Sequence, residues 1–244
     1  MGRVKNYNYN SSNNIPKTLE DCIFYGLTLD EEQKNFRDTI WDPEKLIIFC
    51  NAKAGTGKTT ISLGVANLLV QYGLYDGIVY IVSPTMEQKQ GYLPGDLEMK
   101  SAPYTEPLLE ALITLGIDIN TAIKSENNMQ SLKEGKAFIE FTVDTYLRGV
   151  NFENKVVILD ESQNFYGSDM KKVLTRIHDN CKTIVIGHTE QCDLYKHKEN
   201  SGFHQYLKAF QDDYFNDPRV GICNLSTNHR GWVSTTCDNI EIRG

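Results

Sequence analysis

The ten residues NAKAGTGKTT (51–60) combine small residues, a lysine and two hydroxyls in an order that suits a polyphosphate. Consecutive backbone N–H groups can converge on phosphate oxygens only where side chains are small and the chain can turn left-handed, as Gly55 and Gly57 allow. Ala54, Gly55, Thr56, Gly57, Lys58, Thr59 and Thr60 are the candidate nucleotide-binding set. Lys58 is spaced to reach the β- and γ-phosphates of ATP, and the Thr59 hydroxyl is spaced to ligate Mg²⁺. Ala52 stands where the pattern G-x-x-x-x-G-K-[ST] usually begins with glycine. The same stretch also suits an ordinary Gly-rich turn between a strand and a helix, and its flanks weigh against that reading: an apolar run precedes it and a helical pattern follows.

A second stretch, VVILDESQN (156–164), supplies carboxylates. Asp160 follows four apolar residues, so it emerges at the carboxyl end of a buried strand, where open α/β sheets bind ligands. There it can hold Mg²⁺ through water. Glu161, next along, can orient or deprotonate an attacking water, which makes ATP hydrolysis the natural reaction class. An isolated Asp-Glu pair opening a turn would carry no such meaning. A third stretch, TIVIGHTEQCDL (183–194), repeats the strand-then-polar arrangement with His188 and Gln191. A polar group there can sense the γ-phosphate, although a histidine in a loop more often serves structure.

These residues need a sheet to position them. LIIFC (46–50), GIVYIV (77–82), FIEFT (138–142), KVVIL (155–159) and TIVIG (183–187) read as five buried strands. Helical patterns fall between them at 59–72, 106–115 and 168–177, with Ser168 as the last one's N-cap. A capping box of Thr28 with Glu31 opens a helix through about residue 42. Short apolar strands alternating with helices predict a parallel α/β sheet covered on both faces. The stretch 83–104, with Pro84, Pro94 and Pro103, is expected to be irregular. Residues 1–16, rich in Asn, Ser and Tyr, are expected to form a mobile tail before a single domain at 17–244.

Composition narrows the class. The 244 residues, 40% hydrophobic and 23% charged, suit a globular chain. No apolar run reaches the roughly 18 residues that span a bilayer, and the N-terminus has no secretory h-region. Six scattered cysteines without a C-x-x-C pair read as buried reduced thiols. The net charge of −7 gives no support to a broad nucleic-acid-coating surface.

Taken together, AKAGTGKTT, GYLPGDLEMK with PYTEPL (91–108), TYLRG (145–149), VILDESQN, IGHTEQCDL (186–194) and NHRG (228–231) resemble PhoH-like ATPases in order and spacing, from about residue 27 onward. The resemblance implies a P-loop NTPase with a RecA-like parallel sheet, similar to the first motor domain of superfamily-one helicases. It implies ATP and Mg²⁺ as cofactors and a cytoplasmic location, the host's cytoplasm for a phage-borne chain. It assigns Gln33 to adenine, and Arg148, Gln191 and Arg230 join Lys58 and Glu161 as the catalytic set, with an arginine near the γ-phosphate or at a subunit boundary. It further implies a homo-oligomer, a hexamer among the forms, without a membrane. This chain departs from the family pattern at Ala52, at His188 in place of an Asp, and at Ser83 where many members have Arg. A second motor domain or a nuclease domain is not expected within this length, so strand separation by a monomer is not expected either.

Two functions of different class follow. One is an oligomeric ATP-driven motor or remodeller on single-stranded nucleic acid, RNA before DNA, with Tyr92, Tyr104, Lys89 and Lys100 as a candidate stacking and phosphate-contacting surface. The other is an ATP-dependent switch that binds a protein partner and no nucleic acid.

Overall fold

In the computed structural model the described residues are 15–19, 24–83, 97–125, 129–134, 136–147, 149–190, 201–238 and 240. Six strands form one sheet: β1 (Ile47–Ala52), β2 (Ile78–Val82), β3 (Ile139–Val143), β4 (Val156–Leu159), β5 (Lys182–Gly187) and β6 (Val220–Leu225). The order across the sheet is β3-β2-β4-β5-β1-β6, and every neighbouring pair is parallel. Five strands lie where the apolar runs predicted them, within two residues. The sixth, VGICNL, was not anticipated, because Gly221 and the exposed Asn224 dilute its apolar pattern.

β2, β4 and β5 are rich in β-branched residues and buried along their whole length, so helices must cover each side. On one face, α1 (Glu31–Trp41), α2 (Lys58–Gln71) and α3 (Leu97–Thr114) close over Ile48, Cys50, Tyr80, Ile158, Ile184 and Ile186. On the other, α6 (Gly167–Leu174) and α7 (Gly202–Asp213) close over Phe49, Ile81, Val157, Leu159 and Val185. Three short helices complete the set: α4 (Ile119–Ala122), α5 (Met129–Lys133) and α8 (Trp232–Asp238).

Three boundaries differ from expectation. The first helix is capped by Asp30 rather than Thr28: the Asp30 carboxylate accepts from Gln33 N–H at 2.8 Å, and the Gln33 side chain returns the bond to Asp30 N–H at 3.1 Å. Asp-Glu-Glu-Gln offers the same box two residues on, with a carboxylate as the stronger acceptor at a positive helix end. The helix expected from Ser168 starts at Gly167 with Tyr166 as N-cap and no side-chain cap bond. Residues 97–104, expected to be irregular, are the first turns of α3. Glu98, Met99, Lys100 and Ala102 are good helix formers, and Leu108, Ala111 and Leu112 anchor the same helix in the core, which outweighs Pro103.

Residues 1–14 of the expected tail lie outside the described residues, whereas Pro16 already accepts a bond from the Trp41 indole at 3.0 Å and Leu19 is buried. Cys50, Cys181 and Cys223 are free and buried, and Cys237, expected to be buried, is exposed on the short α8, whose flanking Trp232 and Val233 are open to solvent. Among the described residues no helix is long and apolar enough to cross a membrane.

Candidate functional site

The site lies at the carboxyl edge of the sheet, where β1, β4 and β5 end side by side, with β5 between the other two. β1 passes from Ala52 into the turn Lys53–Gly57, which is tied back by Lys53 N–H to the Leu225 carbonyl at 3.0 Å and by the Thr56 hydroxyl to the Lys53 carbonyl at 3.0 Å. Gly55 and Gly57 take left-handed backbone angles, φ 73° and 80°, as the phosphate reading requires. Gly57 is the N-cap of α2 and no side chain caps that end. The first amides of a 14-residue helix therefore point out of the loop with the positive end of the dipole, an arrangement suited to an anion. Ala54 lines the turn half-buried, and Thr60 lies half-buried in the first turn of α2.

Lys58, first in α2, reaches across to the Glu161 carboxylate, Nζ to Oε1 at 2.8 Å. Thr59 donates its hydroxyl to Asp160 Oδ2 at 2.7 Å. The motif from β1 and the motif from β4 are thus joined at two adjacent residues each. Asp160 is fully buried, and Glu161 N–H donates to its Oδ1 at 2.7 Å. Burial pushes the Asp160 carboxyl above the usual range, against the pull of Lys58 and of the Tyr80 and Thr59 hydroxyls. Glu161 behaves oppositely. Burial alone would raise it, but the Lys58 charge and hydrogen bond, with the Gln163 amide, hold it below the usual range. For Lys58, burial pulls downward and the two carboxylates outweigh it, so the ammonium is held above its ordinary value.

Glu161 itself adopts left-handed angles, φ 49° and ψ 41°, which a non-glycine residue takes at some cost. Gln163 fixes it there: Nε2 donates to Glu161 Oε2 at 2.6 Å, while Gln163 Oε1 accepts the His188 N–H at 3.1 Å. Asn51 Oδ1 accepts Thr189 N–H at 3.0 Å, so the loop after β5 is bound to both β1 and the turn after β4. His188 is buried in this arrangement.

Gln33 is buried, and its amide is engaged at both ends, by Asp30 N–H and by the Thr56 carbonyl at 2.9 Å. In this conformation it braces the phosphate loop against α1. The segment after β6 closes over the same loop from outside. His229 N–H donates to the Gly55 carbonyl at 2.8 Å, the His229 ring pairs with Asp30 at 2.9 Å, and Ser226 donates twice to Glu32 at 2.7 Å. The Ser226 amide on that carboxylate holds Glu32 below its usual range. Arg230 is exposed, with its aliphatic stem against Gly55: a Cβ built on Gly55 would lie 3.0 Å from Arg230 Cγ and 2.6 Å from Asn228 Oδ1.

Arg148 and Gln191 lie outside the described residues, as do Lys89 and Tyr92. Tyr104 is in α3, half-buried against the core. Several residues at the site were missed by sequence reading, among them Gln163, Asn51, His229 and Tyr80. Tyr80, at the centre of β2, donates its hydroxyl to Asp160 Oδ2, the oxygen that also accepts from Thr59. A phenol inside an otherwise aliphatic buried strand, IVYIV, is the signal that could have found it, since a buried hydroxyl needs a partner.

The donor set suits Mg²⁺. Thr59 and Asp160 present hard oxygen ligands 2.7 Å apart. Among the described residues no cluster of three or more His, Cys, Asp or Glu could hold a metal. An ion held by Thr59 and Asp160 would complete its coordination with phosphate oxygens and water.

Comparison with known proteins bears on family and fold. The family model described as PhoH-like protein matches residues 28–229. Protein PhoH of Escherichia coli (strain K12) is 33% identical over 189 residues, 77% of this chain and 50% of that protein. A PhoH-like protein of Synechocystis is 34% identical over 156 residues, 63% of this chain and 44% of that protein. This chain spans about half the length of the curated relatives it matches. Among solved structures, the large terminase of bacteriophage HK97 superposes with a TM-score of 0.51 at 13% identity, covering 85% of this chain and 41% of that one. That likeness is one of fold alone.

Proposed function

This chain belongs to the PhoH-like protein family, and from that premise we propose that it binds ATP with Mg²⁺ and hydrolyses it. One observation carries the reading: Lys58 and Thr59 of the phosphate loop are paired, respectively, with Glu161 and Asp160 at the end of β4. Lys58 neutralises charge on the phosphates, and to do so it leaves Glu161. The carboxylate so released, still held by the Gln163 amide, is then placed to orient and deprotonate water beside the γ-phosphate. Thr59 and Asp160 would hold Mg²⁺, which neutralises charge spread over the β- and γ-oxygens. Gln33 can reach adenine by exchanging its bond to the Thr56 carbonyl for one to the base.

The substrate of the cycle is proposed as single-stranded nucleic acid, RNA before DNA, moved or remodelled by a homo-oligomer. Arg230 is the residue on which the oligomer can be tested. Its stem lies on the phosphate loop and its head is open to solvent, where it can complete a neighbouring subunit's site or its own. A second reading, a nucleotide-dependent protein-binding switch, is favoured by the net charge of −7. The test is steady-state ATP hydrolysis with and without single-stranded RNA and DNA, across protein concentrations. Stimulation that grows with protein concentration supports the assembled motor. A slow rate indifferent to nucleic acid, with nucleotide-dependent capture of a protein, supports the switch. Absence of ATP hydrolysis under all conditions rejects both.

A further inference from the structure

We propose that Tyr80 is a positioning residue for the metal-holding carboxylate: its buried phenol, delivered from β2, fixes the orientation of Asp160 so that one oxygen pair stays directed at the cation. The inference rests on the ATP·Mg²⁺ reading above.

Three protein donors converge on Asp160. The Glu161 amide takes Oδ1, while the Thr59 and Tyr80 hydroxyls share Oδ2. They differ in what metal binding asks of them. Thr59 would turn a hydroxyl lone pair to the ion while its O–H faces Asp160, so its own position depends on whether the site is filled. The Glu161 amide belongs to a residue whose side chain must part from Lys58. Tyr80 is the donor of the three that comes from a different strand and takes no other part in the site.

Its position is set by packing. The ring is fully buried, lies opposite Ile158 in the β2–β4 register, and stacks on Phe141 with centroids 6.2 Å apart at 29°. Asp160 is two residues beyond Ile158, hence on the same face of the sheet, beneath the start of α2. Phenylalanine would fill the same space without burying a hydroxyl, which costs free energy unless it is bonded. The hydroxyl therefore has one evident use, and it is at Asp160. A carboxylate gripped from an immobile strand keeps one orientation whether the site is empty or filled.

The test compares wild type with Tyr80→Phe by calorimetric titration of ADP at a series of Mg²⁺ concentrations, alongside ATP turnover. Loss of an outer hydrogen-bond partner should raise the Mg²⁺ needed for half-maximal tightening of ADP by about tenfold or more, with metal-free ADP affinity changed less than about twofold. Turnover should show kcat lowered and KM for ATP at saturating Mg²⁺ retained. Phe141→Leu disturbs the same packing and keeps the phenol, so its Mg²⁺ requirement should match wild type. A wild-type Mg²⁺ requirement in Tyr80→Phe overturns the positioning role. So does an equal shift in Phe141→Leu, which would assign the effect to packing. ADP binding by wild type that ignores Mg²⁺ overturns the ATP·Mg²⁺ reading itself, and the role of Tyr80 falls with it.

Discussion

Lys58 and Glu161 hold each other at 2.8 Å, so the lysine that should meet phosphate and the carboxylate that should meet water are mutually occupied. ATP must part them before either can act. The pair is therefore a resting contact, and each half is needed for a different step.

Replacing one half should separate those steps. Glu161→Gln removes the base and leaves Lys58 free for phosphate, so ATP should bind at least as tightly while turnover falls about 100- to 10,000-fold. Lys58→Ala should abolish both phosphate affinity and turnover. Equilibrium binding of a fluorescent ATP analogue, set against phosphate release, distinguishes the two. Near-normal turnover in Glu161→Gln would remove that residue from the mechanism.

Gly55 carries two demands at once, a φ of 73° and no room for a side chain, since a Cβ would sit 2.6 Å from Asn228 Oδ1. Gly73 has a nearly identical φ of 70° with nothing within 4 Å. Gly73→Ala should cost only the backbone strain, about 1–2 kcal/mol, and spare nucleotide binding. Gly55→Ala should cost more than Gly73→Ala and weaken ATP binding, because the segment Asn228–Arg230 is pushed off the loop. Urea denaturation and nucleotide titration on both variants check the pair. Equal effects would mean that the segment after β6 is not seated on the phosphate loop.

The contrast between those two glycines shows what was legible beforehand. Both motifs, and five of six strands, could be read because each is a local pattern: a run of small residues, or an apolar run with a charged end. Asp30 and Thr28 each begin a capping box, and the carboxylate of Asp30 only tips the choice, whereas the Gln33 amide reaching the Thr56 carbonyl decides it. Tyr80 could be marked as a hydroxyl in need of a partner, yet Asp160 is 80 residues away and only the β2–β4 register joins them. The same holds for Asn228 and Arg230, whose contact with Gly55 depends on β6 lying beside β1.

Arg230 separates stem from charge. Arg230→Met keeps an aliphatic stem over Gly55 and removes the guanidinium. Because the head is exposed, stability should change by less than about 0.5 kcal/mol. Turnover should fall steeply, by about 1,000-fold if the guanidinium stabilises charge on the transferring phosphoryl group. Mixing Arg230→Met with Glu161→Gln then reads the geometry. Recovered activity means that the arginine of one subunit serves the site of another, and no recovery places it in its own site. Full activity of Arg230→Met alone excludes the residue from hydrolysis.

Lys182 gives a prediction independent of the site. It opens β5, is 1% exposed, and donates to the carbonyls of Ile40 at 2.8 Å and Asp42 at 2.6 Å, closing the C-terminal end of α1. Burial lowers its pKa from 10.5 to about 8, with Asp42 offsetting part of the shift. Below pH 8 the folded and unfolded chains both hold the proton, and stability is indifferent to this group. From pH 8 to 10.5 the unfolded chain holds a proton that the folded chain has released, so the contribution of Lys182 to stability rises with pH. The slope approaches about 1.4 kcal/mol per pH unit, for a total of roughly 3 kcal/mol. Lys182→Met lacks this titration and leaves two helix-end carbonyls without their donor, a loss of about 1–3 kcal/mol even at neutral pH. Urea denaturation of both proteins over pH 8 to 10.5 should show the wild-type advantage widening with pH. A constant or shrinking difference would mean that the buried ammonium keeps its proton, held by the two carbonyls more strongly than burial opposes it.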